Sequence, residues 1–136
     1  MAMGLDSVLS TELKDLDYSS WRGKSLDEVQ ATDPDGVRRW LTDIDAAPHG
    51  GESIRNFLAR IGGWLAGQHG SGHTLAVTHP AVVRAAVVLT LQAPAQSFWR
   101  IDIPPVSIVG AHVKVNKSEQ WPDGLGRGSY ALEGEV

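Results

Sequence analysis

The chain contains no cysteine. Disulfides, thiolate zinc sites and cysteine nucleophiles are therefore excluded. Basic residues are also in short supply, with 12 Lys+Arg against 16 Asp+Glu and a formal net charge of −4. No basic face is available to displace counterions, which argues against a nucleic-acid partner. Long apolar runs are missing as well. The longest, Ala81 to Leu91, is interrupted by Arg84 and falls far short of the roughly 20 residues of a spanning helix. Met1 to Leu13 has neither a basic start nor a continuous apolar segment, so it does not read as a secretory signal. No membrane partner is expected, and a cytoplasmic protein is the default. There is no HExxH pair, no GxxxxGK[ST] phosphate loop and no G-x-S-x-G elbow. His69 and His73 are four apart, but the intervening glycines oppose the helix that would bring both rings to one face. No metal site and no cofactor are predicted.

What is present is ordinary globular material. The 136 residues are 42% apolar and 21% charged, enough for one domain with a real core. Residues 1–136 are read as a single truncated domain, with 1–12 and 123–136 flexible. Met1 to Gly23 reads mostly as loop. Ser25 and Glu28 are spaced as a capping box. Asp33-Pro34 then places a proline at a first helical position, and Val37, Trp40, Leu41 and Ile44 follow as a helical stripe. From Glu52, the residues Ile54, Phe57, Leu58, Ile61, Trp64 and Leu65 form one apolar helix face. Gly62-Gly63 inside that helix costs about 1 kcal/mol per glycine relative to alanine, which suggests close packing or an early end. Thr74 to Thr78 reads as a short buried strand. Pro80 opens another helix to about Leu91, and Ser97 to Ile103 and Val106 to Val115 look like two β segments. Helix, strand, tight turn and helix in this order is the grammar of an α/β fold.

Three features could carry chemistry. In Val77-Thr78-His79-Pro80, an imidazole stands at a strand end and a helix start, where α/β sheets place ligands and where helix dipoles favour anions. A histidine that merely caps the helix fits the local sequence about as well. Gly50-Gly51-Glu52-Ser53 is a glycine loop entering a helix, which plain capping also explains. Asp15 lies in Leu13-Lys14-Asp15-Leu16-Asp17-Tyr18-Ser19-Ser20-Trp21-Arg22-Gly23. A solvated acidic loop explains it equally, and a side chain the size of Trp21 mostly buries.

Taken together, these features resemble the histidine phosphatase superfamily, the phosphoglycerate-mutase-like proteins. Leu13-x-Asp15-x-Asp17-Tyr18-x-x-Trp21-x-Gly23 is similar to the family's L-x-E-x-x-x-G-x-W-x-G segment. Pro48-x-Gly50-Gly51-Glu52-Ser53 resembles its G-E-S turn, and Phe57, Arg60 and Trp64 continue the likeness. Val77-Thr78-His79 resembles its V-[ST]-H strand end, and Phe98-Trp99-Arg100-Ile101-Asp102 with Pro105 and Ser107 resembles its last strands.

The resemblance implies a three-layer α/β phosphoglycerate-mutase-like fold. It implies that His79 is the second active-site histidine and that Asp15 stands where the family has a proton-donating Glu. Glu52 completes the expected catalytic set of His79, Asp15 and Glu52. Ser53, Arg84 and Trp21 are the candidate ligand-binding residues, with Arg84 placed to replace a lost guanidinium. The family opens on a strand ending in R-H-G, whose histidine takes the phosphoryl group. No Arg-His dipeptide occurs in this sequence, and the chain reads as starting after that strand. The sheet would then be completed by rearrangement or by dimerisation through the bare edge at Leu75–Val77.

The function expected from this is a degenerate or repurposed phosphatase-like protein. It would hold a small, phosphate-bearing or otherwise anionic molecule around His79, with acid–base chemistry as the remnant activity. Two alternatives stand beside it. One is an active phosphomonoesterase or mutase that uses His79 or residues from a partner chain. The other is a non-enzymatic, dimerising interaction module. A truncated form of a normal phosphatase would give the same pattern.

Overall fold

The structure is a computed structural model that describes residues 6–68, 73–115 and 128–132. The chain opens with two single 3₁₀ turns, Thr11–Leu13 and Ser19–Trp21. Four helices follow: α1 (Leu26–Thr32), α2 (Pro34–Thr42), α3 (Ile54–Ala66) and α4 (Pro80–Thr90). A 3₁₀ segment, Ala95–Arg100, and two strands, β1 (Ala111–Val115) and β2 (Gly128–Leu132), complete the described elements.

The helix starts form as their sequence dictates. Ser25 and Glu28 make both bonds of a capping box at the head of α1. Asp33 accepts from the Gly36 N–H at 2.9 Å with Pro34 in the first turn of α2. Ser53 caps α3 by accepting from the Asn56 N–H at 3.2 Å. Each such cap contributes typically about 1 kcal/mol. The Gly62-Gly63 pair does not end α3, which runs on to Ala66. Gly62 faces α4: a Cβ placed there would meet the methyl carbons of Leu89 at 3.7 and 3.8 Å.

The core lies between α3 and α4. Ile54, Phe57, Leu58, Ile61 and Leu65 of α3 bury against Val82, Ala85 and Val88 of α4, with Leu16, Trp40 and Phe98 joining from outside the pair. Phe57 and Phe98 meet edge-to-face, with ring centroids 6.1 Å apart. Burying an aliphatic or phenyl side chain of this size contributes about 1.5–3 kcal/mol, so these contacts carry most of the stability of the helical layer.

The expected three-layer α/β fold is not what the described residues form. They are mainly helical, and their one sheet is an antiparallel ribbon in which Ala111 pairs with Leu132 and Val115 with Gly128. Thr74 to Thr78 has no regular secondary structure and sits in no ladder. It is not a buried strand either, because Leu75 and Val77 are exposed. A strand needs a hydrogen-bonding neighbour, and none of the other described segments lies beside this one as a strand. Ser97 to Arg100, expected as strand, belongs to the 3₁₀ segment. The reason is visible in the aromatics. Phe98 is buried against Phe57, and its neighbour Trp99 packs on the same core and meets Trp40 at 5.7 Å. A strand would send two consecutive side chains to opposite faces, whereas a tight turn lets both enter one core. Val106 to Gly110 is irregular and exposed, and the β structure expected there begins only at Ala111. The stretch 123–136 contains β2, and its other residues lie outside the described ones, as do 1–5. No helix among the described residues is long and apolar enough to cross a membrane.

Phe57 is fully buried and meets Phe98 within the core. Phe57→Ala is expected to cost about 3–5 kcal/mol, measured by urea unfolding. A loss below about 1 kcal/mol would show that the α3–α4 layer does not carry the stability.

Candidate functional site

The site is assembled on the loop from Glu12 to Asp17, which has no regular structure after Leu13 to hold it. Side chains from elsewhere hold it instead. Arg60, on α3, donates from Nη1 to the carbonyls of Glu12 (2.6 Å) and Lys14 (2.9 Å), and from Nη2 to that of Asp15 (3.2 Å). The same guanidinium grips the Glu52 carboxylate with both prongs, Nε to Oε2 at 2.9 Å and Nη2 to Oε1 at 2.8 Å. The Glu52 N–H donates to the Asp17 carbonyl at 2.9 Å. From the other side, the Thr78 hydroxyl donates to the Leu13 carbonyl at 2.7 Å.

These anchors bring Asp15 to His79. Asp15 Oδ1 accepts from the Leu16 N–H at 2.8 Å, while Oδ2 faces His79 Nδ1 at 3.8 Å. That is ion-pair distance, longer than a direct hydrogen bond. Both side chains are about half exposed, at 56% for His79 and 44% for Asp15, so the pair is open to a ligand. The His79 side chain does not cap α4. Its carbonyl takes the Val82 and Val83 N–H groups at 3.0 and 3.2 Å, which leaves the imidazole free of a structural duty at the helix start.

Tyr18 lies within electrostatic reach of Asp15 and of Arg84. Burial raises the Tyr18 phenol above its usual range, the charge of Asp15 adds to the rise and the charge of Arg84 opposes it. Arg84 lies on α4 with its guanidinium carbon 5.1 Å from the centre of the Phe98 ring, a cation–π contact. Its Nε is buried without a hydrogen-bond partner.

The predicted site residues thus divide. His79 and Asp15 come together, and Arg84 acts on the same tyrosine as Asp15. Glu52 pairs with Arg60, and no contact between Glu52 and His79 occurs among the described hydrogen bonds and ion pairs. Ser53 is a buried helix cap. Trp21 packs edge-on against Trp40 and His49, with centroids 6.2 and 5.1 Å away. Among the described residues, no group of three or more His, Asp and Glu side chains is placed to hold a metal.

Sequence reasoning missed His49. It is buried among Tyr18, Trp21 and Trp40. Its Nδ1 accepts from the Gly51 N–H at 2.9 Å, so the ring is held neutral with its proton on Nε2. Gly51 is needed at this point, because a Cβ there would lie 2.1 Å from the Asp17 carbonyl oxygen. The run Pro48-His49-Gly50-Gly51 was the available signal: a histidine beside two glycines, close to a loop that must approach another backbone.

With this geometry in place, comparison with known proteins is informative. A family model described as "Histidine phosphatase superfamily (branch 1)" matches residues 1–121. The chain belongs to this superfamily. Among curated relatives, a bifunctional protein of Mycobacterium tuberculosis is 30% identical over 111 residues, covering 79% of this chain and 30% of the relative. Phosphoserine phosphatase 1 of Hydrogenobacter thermophilus is 24% identical over 125 residues, covering 86% of this chain and 57% of that enzyme. A solved structure titled "Mycobacterial hydrolase 2" resembles the fold with a TM-score of 0.66 at 20% identity, over 91% of this chain and 57% of that one. The chain thus spans between 30% and 57% of the length of these relatives.

Burial pushes the His49 imidazole below its ordinary value of 6.5, and the charge of Asp17 offsets part of this. The folded protein therefore binds this proton less readily than the unfolded chain does. The stability tied to a neutral His49 is complete above about pH 6.5 and is lost as the pH falls below that value toward the lower folded pKa. Urea unfolding between pH 8 and pH 5 is expected to show this loss, and His49→Asn, which keeps an acceptor for Gly51, is expected to flatten the curve. Parallel curves would mean that His49 does not titrate on unfolding.

Proposed function

We propose that this histidine phosphatase superfamily chain is a repurposed member that binds a small phosphate-bearing or otherwise anionic molecule at His79 and Asp15. Acid–base chemistry by that pair is its remaining catalytic capacity. The observation that carries the proposal is the 3.8 Å approach of His79 Nδ1 to Asp15 Oδ2 on an open surface. An imidazole beside a carboxylate can exchange a proton with a bound molecule. Arg84, whose charge reaches the same neighbourhood, supplies positive charge for an anion. A cytoplasmic setting, the default for this composition, goes with the same proposal.

The second candidate is a phosphomonoesterase, favoured by the likeness to phosphoserine phosphatase 1. Inorganic phosphate is expected to raise the melting temperature of the wild-type chain and to lose that effect in His79→Ala, with no turnover of p-nitrophenyl phosphate or phosphoserine above background. Turnover abolished by His79→Ala would favour the esterase and overturn the repurposed site. Absence of any phosphate effect would remove the anion site itself.

We also propose a homodimer through the exposed segment 74–77. Leu75 is 71% and Val77 is 91% exposed, and among the described residues this segment has no strand partner. An exposed apolar stretch with free backbone groups invites pairing with another chain. Light scattering is expected to show a dimer that Val77→Lys converts to monomer. A wild-type monomer at high concentration would refute the dimer.

A further inference from the structure

Resting on the His79–Asp15 site proposed above, we infer that Arg60 is a positioning residue for that pair, with Glu52 as its anchor rather than a proton-transfer group. A guanidinium has five N–H donors in a fixed fork. In Arg60 all five are used: Nε on Glu52 Oε2, Nη1 on the carbonyls of Glu12 and Lys14, and Nη2 on the Asp15 carbonyl and Glu52 Oε1. No donor is left for a ligand, so Arg60 does not hold an anion. Both Glu52 oxygens are taken by the same cation, and the two side chains are only 17% and 15% exposed. A carboxylate held this way is poorly placed to pick up or give up a proton. Phe57 completes the seat, with its ring centre 5.0 Å from the guanidinium carbon.

The target of this grip is the backbone around Asp15. Three of the five bonds end on carbonyls between Glu12 and Asp15, so the peptide that carries the Asp15 side chain is fixed relative to α3. The Leu16 N–H then fixes Oδ1, leaving Oδ2 to face His79. The chain of contacts runs from Glu52 through Arg60 to the Asp15 peptide, and from the Asp15 carboxylate to the imidazole. Lysine cannot replace the fork, since its ammonium presents three donors from one point. A purely structural role would lower stability and leave the His79–Asp15 contact as it is.

The test follows the His79 ring resonances by NMR in the labelled full chain at one fixed pH. Asp15→Asn is introduced into the wild type and into Arg60→Lys. The substitution is expected to displace the His79 resonances in the wild-type background and to displace them by less than half as much in Arg60→Lys. Equal displacement in both backgrounds, even with a lowered melting temperature for Arg60→Lys, would overturn the positioning role and leave the paired site standing. No displacement in the wild type would remove the paired site, and the inference with it. Should Arg60→Lys fail to fold, Glu52→Gln serves as the background. It keeps the side chain's size and one acceptor, and a reduced displacement is expected. An undiminished displacement there overturns the inference.

Discussion

The ion pair between Arg60 and Glu52 is the constraint on which the site depends. Both partners are largely withdrawn from water, where separating them would leave an uncompensated charge, a loss of several kcal/mol. The pair is not an isolated bond. It joins the start of α3 to the loop from Glu12 to Asp17, which has few other means of keeping its shape. The Glu52 N–H and the Gly51 close approach add backbone contacts to the same loop at Asp17. Order in the loop is borrowed from a helix that is itself ordered by the core.

The same region is ordered a second time by aromatic packing. Tyr18, Trp21, Trp40 and His49 meet edge-on, and Trp99 extends the group toward Phe98. His49 serves here as a flat, neutral ring with one acceptor, because its Nδ1 is committed to Gly51. The cluster and the ion pair lie on either side of Asp17, whose own carboxylate is held low in pKa by the Ser19 N–H and by Arg22. Asp15 is left as the carboxylate of the loop that faces the imidazole.

Much of the helical layer was legible in the sequence. Ser25, Asp33 and Ser53 announce α1, α2 and α3 because capping is local chemistry, decided by residues three apart. Pro80 announces α4 for the same reason. The strands were legible only in part: β1 falls within the β segment expected at Val106 to Val115, but an extended run becomes a strand only with a neighbour, and neighbours are not local. Thr74 to Thr78 has the composition of a buried strand and lies exposed, while Ser97 to Arg100 coils because Phe98 and Trp99 both seek one core. At the site, His79 and Asp15 were found through the family likeness, which encodes tertiary proximity. Glu52 was found too, but its role was read as chemistry because its partner is eight residues further along α3, and five donors converging on one loop cannot be inferred from spacing.

The bond from the Thr78 hydroxyl to the Leu13 carbonyl ties the exposed run before α4 to the loop that carries Asp15. A shift of the 74–78 run would pull on the peptide two residues before Asp15. If the dimer proposed above forms along that run, occupying one surface would change the free energy of occupying the other, and thermodynamic linkage would make that effect mutual.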